Sequence, residues 1–449
     1  MHTHDAALTD LILEHVRDRL ETGSTPLHHP GQPDKLEHAL AGLLGPEGQD
    51  PADVLRLYAE HLAPSSVACD SPRFLSFVPA APTQAAVLFD MLVSCSSIQG
   101  VSWKLASGPI AAENQVLRLI ADLAGMPAAT GGCFVSGGSA GNLSALVTAR
   151  DTARLERGLG DHDPVRIALS DQAHSSIHNT LRIIGAEPLV VPTTDHRLTG
   201  TALQAALATA PDTSNVIGVV ATAGTTNAGI IDDLAGIART ARDFELWFHV
   251  DGAYGGAGLL APTVRQRYLG IEHADSLVID PHKWLFAPFD CAALLYRDPT
   301  LAKAAHTQHA SYLDALQTGS HAEWNPADYA YHLTRRARGL PLWFSLAVNG
   351  TRAYTQAIES ALSLAADTAA LIRDTPHLEL IRDPELSVVL FHRTGWTRTD
   401  YTAWSKRLLA DQTGFVAPTG WEGRTVCRFA FLNPATSLDL VREILDTMV

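Results

Sequence analysis

The chain has 449 residues, 46% of them hydrophobic and 18% charged, with a formal net charge of −15. That length exceeds one small core, so two or three domains, or one large α/β domain with appendages, is expected. The negative charge argues against nucleic acid, which wants basic stripes, and against anionic membrane surfaces. Cys69, Cys95, Cys133, Cys291 and Cys427 are scattered and lack CxxC spacing, which speaks against a disulfide framework and against a metal site. No apolar run is long enough to span a bilayer, and the first residues lack the basic start and apolar core of a signal peptide, so a cytoplasmic protein is expected.

Residues 1–85 read as a helical, loop-rich segment. Leu11, Leu13, Val16 and Leu20 form a short apolar stripe, Pro and Gly cluster at 26–51, and an amphipathic stretch follows at 52–62. This segment is too thin for a core of its own and needs another surface to pack on. A regular pattern starts near residue 86. Helix-like stretches at 86–95 and 110–124 precede strand-like runs at 165–170, 188–193, 215–223, 245–251, 275–280 and 292–298. Helical stretches at 139–158, 172–185, 200–210, 232–243 and 262–270 separate most of them. Such alternation predicts a mostly parallel sheet covered on both faces. The run at 292–298 follows 275–280 too closely for a crossover helix, so that pair is expected to be antiparallel. From 344 to 449 a long helix to about residue 374 leads into strand-like and helix-like segments, which suggest a small C-terminal α/β domain after a large domain at 86–343.

Chemistry concentrates where the strand-like runs end. Ser136-Gly137-Gly138-Ser139-Ala140-Gly141-Asn142 precedes a helix, and a Gly/Ser turn there presents free N–H groups and the positive end of the helix dipole. Gly138 allows close approach, and Ser139 adds a hydroxyl, so the turn is a phosphate site or simply a helix start. His174 follows the 165–170 run, where its ring can stack on a flat ligand or cap the next helix. Thr222 ends the 215–223 run, placed to bond a ring oxygen or to cap a turn. Asp251 ends 245–251, and Ala253 leaves room for a flat ring beside it. Asp280-Pro281-His282-Lys283-Trp284 ends 275–280. A carboxylate and an amine at neighbouring strand ends are what pyridoxal 5'-phosphate requires, the lysine for a Schiff base and the acid for the pyridine nitrogen. In an open α/β sheet the C-terminal strand ends share one crevice, which makes one site of these residues.

The same residues resemble the group II pyridoxal phosphate decarboxylases, the family of aromatic-L-amino-acid decarboxylase. The resemblance runs, in order, through Pro72-Arg73-Phe74-Leu75-Ser76-Phe77-Val78-Pro79, Ser102-Trp103, Ser136–Leu143, Ala173-His174-Ser175-Ser176, Ala221–Thr226, His249–Gly256, Asp280–Trp284, Asp290-Cys291, Arg335–Phe344 and Cys427-Arg428-Phe429-Ala430. It implies a fold-type I architecture with an N-terminal helical flap, a seven-stranded sheet in the cofactor domain and a small C-terminal domain. It also implies an obligate homodimer with sites at the interface, in which the thin N-terminal segment packs on the partner. By the same resemblance, Gly138, Ser139 and His282 contact the phosphate, His174 stacks on the ring, Asp251 meets the pyridine nitrogen, and Lys283 is the Schiff-base lysine. The implied activity is decarboxylation of an L-amino acid to its amine. Alternatives are decarboxylation with oxidative deamination to an aldehyde, or a silent homologue.

Three departures stand out. The segments 74–80 and 98–103, which line the family's aromatic pockets, here offer Phe77, Val78, Gln99 and Val101, so a less aromatic and more polar pocket is expected. Asp280 stands where the family often has Asn, and an unpaired carboxylate there would repel a phosphate. The family's loop tyrosine, which returns a proton to carbon, falls on Pro326 at equal spacing and on Tyr329 with a short gap. His321 and Trp324 are the loop's other offerings. This loop decides between amine and aldehyde.

Overall fold

The structure is a computed structural model that describes residues 2–22, 25–78, 81–210, 212–311, 313 and 324–449. Three helices come first: α1 (Ala6–Glu21), α2 (Pro33–Leu40) and α3 (Pro51–Leu57). Asp5 and Asp50 cap α1 and α3 by accepting first-turn N–H groups. None of the three helices has a buried residue, while Leu8, Ile12 and Leu13 stay exposed. These helices therefore gain little apolar burial within the protomer.

Next come α4 (Gln84–Cys95), capped by Thr83, and α5 (Trp103–Leu123). The second starts earlier than the expected 110–124 because a separate turn from Trp103 joins it across a break at Ala106. The large sheet is then built from β1 (Gly131–Val135), α6 (Gly138–Arg157), β2 (Val165–Ser170), α7 (Ser175–Ile184), β3 (Ala186–Val191), α8 (Gly200–Thr209), β4 (Val216–Thr222), α9 (Leu234–Asp243), β5 (Trp247–Asp251), β6 (Ser276–Ile279) and β7 (Ala292–Tyr296). Its seven strands lie in the order β1-β7-β6-β5-β4-β2-β3. The pairs from β3 to β6 are parallel. As expected, β7 pairs antiparallel with β6, and it also pairs antiparallel with β1. Strands β4, β5, β6 and β7 are buried along their whole length, in line with their unbroken apolar runs.

Gly131 and Gly132 open β1, a strand that the run of expected strands from residue 165 does not include. A Cβ on Gly132 would stand 1.9 Å from the Leu294 carbonyl oxygen, so glycine here permits close strand approach. The expected helix at 262–270 is two short 3₁₀ turns, Arg265–Tyr268 and Ile271–His273. Gly270, with φ of +102°, interrupts it, and the buried Tyr268 hydroxyl donates to the Gly255 carbonyl instead of letting a helix roll outward.

The chain continues through α10 (Pro299–His306), α11 (Leu340–Arg373), β8 (Leu378–Leu380), β9 (Val388–Arg393), α12 (Arg398–Ala410), β10 (Thr419–Trp421), β11 (Arg424–Ala430) and α13 (Leu438–Asp446). The last four strands form an antiparallel sheet in the order β10-β11-β9-β8. One apolar core runs from Phe248 and Leu277 of the large sheet to Phe391 and Phe429 of the small one. No helix among the described residues is long and apolar enough to cross a membrane.

Candidate active site

Because β1, β2, β4, β5 and β6 run the same way, the turns after them meet at one edge. A cleft of about 580 Å³ opens there. Gly138, Ser139, His174, Thr222, Asp251, Ala253, His282 and Lys283 all line it. Tyr329 does not. Its ring is 5% exposed, stacks on Trp324 with centroids 4.1 Å apart, and packs against the core around Cys133, Val135 and Tyr296. Tyr329, the short-gap candidate for a loop proton donor, therefore does not face the cleft of its own protomer. His321, with Pro79, Ala80 and Tyr312, lies outside the described residues.

Asp251 is buried, with Oδ1 accepting from the Ala253 N–H at 3.1 Å and Oδ2 from Asn142 Nδ2 at 3.0 Å. Two donors on two oxygens orient the carboxylate. Lys283 Nζ lies 3.0 Å from Asp280 Oδ2, so the carboxylate that looked repulsive in the sequence is paired with the lysine. Asp280 Oδ1 is buried with no hydrogen-bond partner among the described residues. His282 Nδ1 is 2.6 Å from the Cys291 carbonyl, and burial holds this histidine below its ordinary range against the pull of Asp280.

These residues fit pyridoxal phosphate. Thr222 Oγ1 lines the cleft but is buried without a partner among the described residues, as a hydroxyl awaiting a ring oxygen would be. No side chain caps the start of α6, so its first N–H groups are left for an anion. The turn is also tight: a Cβ on Gly138 would come within 2.9 Å of Asp280 Oδ2 and 3.1 Å of Ala253 Cβ.

On the outer side of the cleft, Phe74, Phe77, Val78 and Phe289 stand beside the polar Thr226, Asp290 and Arg428. Gln99 bridges to Arg336, and Val101 borders a separate small pocket with Leu313 and Asn325. Residues 98–103 thus turn away from the cleft within the protomer. Arg428, also on the cleft, donates to the backbone carbonyls of Thr226, at 2.6 Å, and Phe77, and burial pushes it down to about 10. Asn142 is the site residue that sequence reasoning quoted without assigning a role. Its signal was its spacing, one helical turn beyond Gly138 and so on the same face of α6.

Burial pushes His249 and His332 down to about 4, from 6.5. Between those values the unfolded chain binds protons that the folded chain refuses. Stability is therefore full above about pH 6.5 and is lost as pH falls toward 4. Burial raises Asp232, to about 7, and Asp275, and these act in the opposite sense, with stability lost as pH rises through their folded values. His282 and His306, also lowered by burial, add to the histidine side. Urea midpoints are therefore expected to fall between pH 6.5 and 4; a rising midpoint would contradict this balance.

A family model described as the pyridoxal-dependent decarboxylase conserved domain matches residues 37–394. An aromatic-L-amino-acid decarboxylase of Bacillus atrophaeus is 29% identical, over 97% of this chain and 92% of the relative. An L-2,4-diaminobutyrate decarboxylase of Rhizobium meliloti (strain 1021) is 32% identical, over 81% of this chain and 74% of the relative. Among solved structures, Oryza sativa TDC with PLP and tryptamine has a TM-score of 0.89 at 24% identity, covering 99% of both chains. Rhodiola rosea 4-hydroxyphenylacetaldehyde synthase has a TM-score of 0.87 at 22% identity, covering 98% of this chain and 96% of the other. At these identities the structural matches speak for the fold.

Proposed function

The chain belongs to the pyridoxal-dependent decarboxylases, and from that membership we propose that it removes the α-carboxyl group of an L-amino acid and releases the amine. The observation that carries the reading is Asp251 and Lys283 facing one cleft, the first oriented by Ala253 and Asn142 and the second by Asp280. When bound, pyridoxal phosphate supplies an aldehyde for amine capture and a ring that takes up the electrons left by departing carbon dioxide.

The chain's residues do the rest. Lys283 would offer the amine that anchors the cofactor. Asp251 would hold a proton at the pyridine nitrogen. The N–H groups at Gly138 and Ser139, with His282, would bind the phosphate, and the Thr222 hydroxyl would bond the ring oxygen. His174 and Ala253 would flank the ring. Phe74, Phe77 and Phe289 support a substrate side chain with a flat or apolar portion.

Residues 1–85 serve as an arm on a partner subunit in a homodimer, beside a cofactor domain at 86–343 and a small domain at 344–449. The unburied α1, α2 and α3, with their exposed leucines, support that reading.

The burial of Tyr329 favours a second reading. With that ring turned away and the Tyr254 hydroxyl engaged by Ser387 at 2.6 Å, proton return at the cleft competes with oxygen. Amino acid, oxygen and water would then give aldehyde, carbon dioxide, ammonia and hydrogen peroxide. A mass-spectrometric product screen over the amino acids, with and without oxygen, separates the two. A decarboxylase is expected to keep making amine without oxygen. Product that stops under nitrogen and is accompanied by peroxide in air would replace the first reading with the second.

A further inference from the structure

Six buried side chains and the exposed His174 form a continuous path behind the cleft, and its two ends have fixed hydrogen-bonding roles. Trp247 Nε1 can only donate, and it donates to Ser276 Oγ at 2.8 Å. Asp251 Oδ2, in its carboxylate form, can only accept, so the Asn142 atom 3.0 Å away is its amide nitrogen. Everything between follows. Asn142 Oδ1 must accept from His249 Nε2, 2.9 Å away. His249 is neutral at ordinary pH because burial lowers it, so its Nδ1 is bare and accepts from the Ser276 hydroxyl at 2.8 Å. The second N–H of Asn142 reaches Ser176 Oγ at 3.2 Å. The Ser176 hydroxyl is then free to donate to His174 Nδ1 at 2.9 Å, and the Ser176 backbone N–H points at the same atom at 3.2 Å.

We propose that Asn142 is a positioning residue that joins Asp251 to His174: its amide, oriented by His249 and Asp251, holds Ser176, whose hydroxyl and backbone N–H both donate to His174 Nδ1 and leave the ring N–H at Nε2, as a donor to the bound amino acid in the cleft. His174 lines the cleft, while its Nδ1 is held from behind by Ser176. A donor at Nε2 suits a substrate carboxylate and would be lost in the other tautomer. One amide thus orients the group under the ring nitrogen and, through one hydroxyl, the ring across the cleft. This rests on the proposed roles of Asp251 and His174, and the test separates the two.

The decisive measurement is the ¹⁵N spectrum of histidine-labelled holoenzyme, with the His174 signals identified by their loss in His174→Gln. A bare Nδ1 and a protonated Nε2 are expected; a protonated Nδ1 overturns the proposal. In turnover at saturating cofactor, Asn142→Leu is expected to lower kcat about tenfold or more and Ser276→Ala about threefold. The double variant is expected to be no worse than Asn142→Leu alone, because both cut one path. Losses that multiply would overturn the coupling. Borohydride trapping of cofactor on Lys283 in the same samples keeps the readings apart: trapped cofactor with a protonated Nδ1 sinks the relay and leaves the decarboxylase reading standing.

Discussion

Lys283→Ala is expected to bind pyridoxal phosphate without a covalent bond and to lose turnover by several orders of magnitude. The amine is the nucleophile, and no other lysine lines the cleft among the described residues. The variant also removes the ammonium 3.0 Å from Asp280 Oδ2, and that carboxylate is only 2% exposed. Leaving one member of a buried pair alone is destabilising, so a lower melting temperature should accompany the lost turnover. Lys283→Arg separates the two effects. It restores a cation near Asp280 and so recovers much of the stability, yet it supplies no usable nucleophile. The checks are the visible absorbance band, borohydride trapping followed by peptide mapping, and amine release. Near-normal turnover in Lys283→Ala would overturn the assignment.

Asp251→Asn is expected to lower turnover by roughly 10²–10³-fold at saturating cofactor, the scale seen when one preorganised electrostatic group is removed. The amide cannot hold a proton at the ring nitrogen as a carboxylate does. It also fits its own surroundings badly. Both Asp251 oxygens accept, from Ala253 N–H and Asn142 Nδ2, whereas an asparagine must turn an N–H toward one of those donors. That loses a buried hydrogen bond, worth on the order of 1–3 kcal/mol. Cofactor affinity should fall less than turnover, because the turn at Gly138 proposed to bind the phosphate is untouched. Titrating cofactor and then measuring kcat at saturation distinguishes the two. Full turnover at saturation would rule out the electron-sink role of Asp251.

Much of this site was legible in the chain because its chemistry is local. A phosphate turn needs glycine and serine at a helix start, and the pyridine partner needs a carboxylate at a strand end. Those demands act on short stretches, so Gly138, Ser139, His174, Thr222, Asp251, Ala253, His282 and Lys283 could be named before their neighbours were known. Asp280 was legible as a residue but not in its role. Its pairing with Lys283 depends on the turn after β6, which sequence spacing does not specify.

By itself, the sequence determined the alternating strands and helices, the antiparallel turn-back of β7 and the strand-end residues, because each follows from local periodicity or from a short motif. Only the tertiary structure decided that Gly132 belongs to β1, that Tyr329 is buried under Trp324, that Phe289 joins Phe74 and Phe77 at the mouth, and that Asn142 reaches both Asp251 and Ser176. Apart from the Trp324–Tyr329 stack, each of these is a contact between segments distant in sequence. Close packing selects one partner among many chemically similar ones, and no local pattern records that choice.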